Sequence, residues 1–120
     1  EEKQKTADEQ TMLKNRLASL RMMRDKHWQR LQSQLKDIPE TEKQEQTVQI
    51  ALLQHKEQKL ELLLAAKGFE YCLVVLGEAQ ANIIVAEEML EKQYEKIYDV
   101  VFRNSGYPSE QIVLIPLAMN

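Results

Sequence analysis

The chain is 120 residues long, with a net charge of −3, 29% charged and 6% aromatic side chains, so there is room for one domain with a modest core. That near-neutral balance gives no reason to expect a polyanion partner, and the single cysteine, Cys72, excludes an internal disulfide. A lone thiol fits a reducing setting, so the expectation is an intracellular protein, cytoplasmic or nuclear.

The chain opens on Glu1 and closes on an apolar stretch, which suggests a piece of something longer. Only three glycines and three prolines interrupt it, the profile of long helices and coiled coils. Thr6 and Glu9 have the spacing of a capping box, and nothing breaks a helix before Pro39. Ile38 is pushed out of helical angles by that proline, so a first helix is predicted over about 6–37 and a turn over 38–41. Thr41 and Gln44 repeat the capping pattern and predict a second helix over about 42–104.

The two predicted helices share a heptad pattern. Folded antiparallel, they pair Leu13 with Phe69, Leu17 with Ala65, Leu20 with Leu62 and Leu31 with Ala51. Polar positions meet as well, Arg24 with Gln58 and His27 with His55. Like meets like in six layers, which predicts an all-α antiparallel helical hairpin or coiled-coil bundle with register-setting polar layers.

The same phase runs on through Cys72, Leu76, Ala79, Ile83, Ala86, Leu90 and Ile97, although Gly68 and Gly77 interrupt it. Three readings are open: one unbroken helix roughly 90 Å long at 1.5 Å per residue, a third helix beginning near residue 70, or a strand over Phe69 to Leu76. The kept phase favours the unbroken helix. Polar residues inside Leu60 to Ala86, among them Glu61, Lys67, Glu70 and Glu78, argue for burial in protein and against a membrane span. Asn104-Ser105-Gly106 ends the run, and residues 105–120 form a linker and an apolar tail. The tail, Ile112 to Met119, suits an edge strand, a short arm or the start of another domain.

His27 opposite His55 could form a metal pair or a pH switch, but a register layer is the simpler account. Lys14, Arg16, Arg21, Arg24, Lys26 and Arg30 make a basic amphipathic run that could hold an anionic membrane surface, calmodulin or nucleic acid; it also suits the solvated face of an ordinary bundle. Cys72 falls on the seam as a buried structural thiol. Glu87, Glu88, Glu91 and Glu95 lack the histidines that a carboxylate metal site in a bundle requires.

No phosphate loop, nucleophile elbow, CxxC or HExxH is present, so no catalytic residue, metal ligand or cofactor is assigned. The apolar surplus beyond the first helix assigns a partner-binding surface instead: Leu76, Ile83, Leu90, Tyr94, Ile97, Tyr98, Val101, Phe102, Ile112 and Leu114. The sequence therefore predicts a non-enzymatic scaffold whose partner is a second copy or another helical subunit. No small-molecule substrate is expected. The rival reading is the basic module at Lys14 to Arg30.

Overall fold

A computed structural model describes residues 7–87 and 89–117. The first helix, α1, spans Ala7–Gln34, and a 3-10 turn at Leu35–Asp37 tightens its end. Thr6, half of the expected capping box, lies outside the described residues. Leu13, Leu17 and Trp28 recur at helical spacing and are buried, which gives α1 its inner stripe. Ile38 is extended at φ −106° and ψ 159°, as the following proline requires.

Helix α2 spans Glu40–Ala66. It starts on Pro39, whose carbonyl accepts the Lys43 amide at 2.9 Å, and no side chain caps it. Thr41 thus sits within the first turn instead of capping it. Its end is a glycine stop. Gly68 adopts φ +96°, its amide donates to Ala65 O at 3.0 Å, and the Phe69 amide donates to Leu64 O at 2.8 Å. Those two reversed bonds satisfy the last carbonyls and turn the chain out of the helix.

Past that stop the chain turns to strand. β1 (Cys72–Leu76) runs antiparallel to β2 (Ala81–Val85), with Cys72 paired to Val85 and Leu76 to Ala81. The Gly77 amide donates to Gln80 O at 2.9 Å and closes the hairpin. Helix α3 (Glu91–Ser105) then crosses over to β3 (Ile112–Pro116), which pairs parallel to β2 from Ala81–Ile112 to Val85–Pro116. A 3-10 turn at Ser109–Gln111 leads into β3. Sheet order is β1-β2-β3.

The sheet separates two cores. Leu60 and Leu64 of α2 and Ile97, Val100 and Val101 of α3 pack on one face, against Val74, Leu76, Ile83 and Val85. On the other face, Leu13 and Leu17 of α1 pack against Leu73 and Ala86, flanked by Val75 and Ile84. The alternation along β1 and β2 sends successive side chains to opposite cores.

The expected all-α class is therefore corrected: the chain is mostly helical but carries a three-stranded mixed sheet, and the described residues show no long helical hairpin or coiled coil. The expected seam does not form. Leu62 is 72% exposed, Ala51 and Ala65 are exposed, and Leu13 and Leu17 face strands in place of Phe69 and Ala65. Continuity through Gly68 fails because a positive φ there stops α2. Between Cys72 and Val85, β-branched residues bury both faces of a sheet more efficiently than one stripe of a helix.

Candidate functional site

Helix α3 owes its start to Gln93, whose Oε1 accepts the Leu90 amide at 2.8 Å, and its end to Gly106 at φ +81°. Its inner face delivers Ile97, Val100 and Val101 to the core. One turn around the helix, Tyr98 and Phe102 stack with centroids 6.3 Å apart and planes 7° from parallel. The Tyr98 hydroxyl donates to Ser109 O at 3.2 Å, which fixes the stack against the segment entering β3. Phe102 remains 47% exposed, and Leu90, at the other end of α3, is 60% exposed. An aromatic ring held in place yet open to water is what a protein-binding surface offers.

Of the other residues assigned to partner binding, Leu76, Ile83, Ile97, Val101 and Ile112 are buried in the chain's own core, and Tyr94 and Leu114 are partly buried against it. The helix-only reading placed them outside because it gave them no intrachain neighbour. Strand pairing, and the packing of α3 against the sheet and α2, supply one.

The polar residues of α1 and α2 meet at a different place from the one expected. Arg24 Nη1 donates to Glu61 Oε2 at 2.6 Å, and the Trp28 indole donates to Glu57 Oε1 at 2.9 Å. Gln58 and His55 are exposed, and so is His27, whose ring lies 5.8 Å from that of Trp28. No register layer of Arg24 with Gln58 or His27 with His55 forms; Glu57 and Glu61 occupy the facing positions.

The same side chains close the outer edge of β1. Arg24 Nη1 also donates to Val74 O at 2.9 Å, and Arg21 Nη2 donates to Cys72 O at 3.4 Å. In the other direction, the Val74 amide donates to Glu61 Oε2 at 2.9 Å and the Leu76 amide to Glu57 Oε2 at 3.0 Å. Four backbone groups of an edge strand are thus satisfied by helix side chains. Burial raises the Glu57 carboxyl above its ordinary range, against the Leu76 amide, the Trp28 indole and Arg24, and Glu61 adds to the rise. For Arg24, burial disfavours the charge, but Glu61, then Glu57 and Asp25, outweigh it and hold the guanidinium protonated.

Beside α1 an open groove of about 1130 Å³ is lined by Leu20, Met23, His27 and Arg30 of α1 and by Val75 and Ile84 of the sheet. Burial pushes the Cys72 thiol up to about 12, which suits a structural role. Among the described residues no cluster of three or more His, Cys, Asp or Glu side chains could hold a metal ion. Nor is any described helix long and apolar enough to cross a membrane. Glu88 lies outside the described residues; Glu87 is partly buried, and burial, then Glu70, raises its carboxyl.

A family model described as SpoIIIAH-like protein matches residues 1–114. The chain belongs to the SpoIIIAH-like family. That family is not an enzyme family, and membership points to a small protein-interaction component of a complex. No curated protein and no solved structure matches the chain. For this SpoIIIAH-like chain the surface worth testing is therefore one that receives another protein. Sequence reasoning named Tyr98 and Phe102 but missed Glu57, Glu61 and Trp28. The signal for them was a Trp28 and an Arg24 four residues apart, facing a Glu57 and a Glu61 with the same spacing.

Proposed function

We propose that this chain is a non-enzymatic assembly subunit that docks another protein through the outer face of α3. The partner is a second copy of the chain or another helical subunit of the same complex. The observation that carries the reading is the Tyr98–Phe102 stack: one ring is anchored by a hydrogen bond, and the other is left 47% exposed. Covering apolar surface is worth roughly 25 cal/mol per Å², so a buried aromatic at the centre of a contact can dominate its affinity.

The rival basic module loses support from the geometry. Arg21 and Arg24 turn inward to β1 carbonyls, and Lys14 lies 4.5 Å above the Tyr71 ring. These three cations of the run are thus engaged within the chain.

Size-exclusion chromatography with light scattering tests the docking reading. Wild type is expected in a species heavier than 14.0 kDa, alone or with a co-purified partner, and Phe102→Asp is expected to return to 14.0 kDa with its circular dichroism unchanged. A Phe102→Asp chain that keeps the heavier mass would refute it.

A further inference from the structure

The buried polar cluster between α1, α2 and β1 is one positive charge short. Glu57, 1% exposed, and Glu61, largely buried, face a single guanidinium: Arg24 lies 2.6 Å from Glu61 Oε2 and its Nε 3.6 Å from Glu57 Oε1. Arg24 is further shared with Asp25, at 3.3 Å on the solvent side. The remaining groups turned toward Glu57 bring no compensating charge. Trp28 of α1 and the Leu76 amide of β1 are neutral donors, and Tyr107, following α3, is a phenol whose hydroxyl donates to Gly77 O. A buried carboxylate that shares its one counter-ion with a neighbouring carboxylate, as Glu57 does, favours uptake of a proton.

We propose that Arg24, Glu57 and Glu61 form a proton-tightened clamp, which seals the β1 edge more firmly at low pH than at high pH. The sign comes from linkage. With the clamp open, Glu57 meets water and titrates near its ordinary value of 4.5; with it closed, the carboxyl is raised. The closed form therefore holds the proton more tightly, and closure strengthens as pH falls from above the raised value toward 4.5. A proton on one Glu57 oxygen removes the surplus charge, while the other, carbonyl oxygen still accepts a full hydrogen bond. Opening would free the Val74 and Leu76 backbone groups, which is the condition for an added strand.

Amide hydrogen exchange on the full 120-residue chain tests the clamp. Protection of the Leu76 and Val74 amides, corrected for intrinsic exchange and referred to Ile97, is expected to rise as pH is lowered. The limit for one coupled proton is about tenfold per pH unit. Glu61→Gln keeps an oxygen for Arg24 and Val74 while removing one negative charge, so the rise should shift to lower pH. Loss of protection at every pH with an unshifted profile would mean a merely structural cluster and would overturn the proposal. So would a wild-type profile that is flat or falls in acid.

Discussion

The Trp28 indole N–H donates to the buried Glu57 carboxylate at 2.9 Å, and this bond, with Arg24–Glu61 one turn away, fixes how α1 lies across α2 and β1. A leucine seam does not. Replacing Trp28 by Phe would keep most of the apolar volume and strand a buried carboxylate oxygen. The cost should be about 1–3 kcal/mol, read from urea denaturation followed by circular dichroism.

Removal of Arg24 should be more severe. Arg24→Met leaves Glu57 and Glu61 without a counter-ion and Val74 O without a donor, so a loss of about 3–5 kcal/mol is expected in the same assay. The exposed ion pair of Arg103 with Asp99 provides the control. Arg103→Met should leave the midpoint essentially where it was.

Glycine positions separate cleanly by backbone. Gly106 sits at φ +81°, and an added Cβ would meet only Lys56 Nζ at 3.9 Å, an ordinary contact, so Gly106→Ala should cost about 1 kcal/mol through backbone strain alone. Gly77 has no such φ, and its nearest atom would lie at 3.7 Å, so Gly77→Ala should be close to neutral. Thermal melts of the two variants check the contrast.

Cys72 is buried in the core, with its thiol raised to about 12. At about pH 8, just below the ordinary thiol value, the folded chain should therefore react with a thiol reagent far more slowly than the urea-unfolded chain. The rate should track the unfolded fraction. Fast native labelling would mean that the β1 face opens locally.

Much of the helical content was legible from local chemistry. The stop before Pro39, the Gly106 terminus and the stripe along α1 each obey rules that act over a few neighbouring residues. The sheet was read only in part: a strand over Phe69 to Leu76 and an edge strand in the tail were open readings, but the unbroken helix was favoured over the first, for a geometric reason. Leu76 and Ile83 have heptad spacing, and so do Cys72, Ala79 and Ala86, which imitates a continuing seam. In the fold, Cys72, Leu76 and Ile83 are instead buried core positions of a hairpin, and Ala79 is exposed in its turn. The missed signal was composition: two short runs, Cys72–Leu76 and Ala81–Val85, each rich in β-branched residues, on either side of Gly77. The outer face of α3 was half legible, because stripe spacing put Tyr98 and Phe102 side by side but could not tell which apolar residues β2 and β3 would cover.

The most direct test of the assembly role is hydroxyl-radical footprinting of Phe102 and Leu90, in the isolated chain and in the complex that it forms in its source cells. Both side chains should be labelled in the isolated chain, and Phe102 should be protected several-fold or more in the complex. Equal labelling of Phe102 in both states would contradict docking through α3.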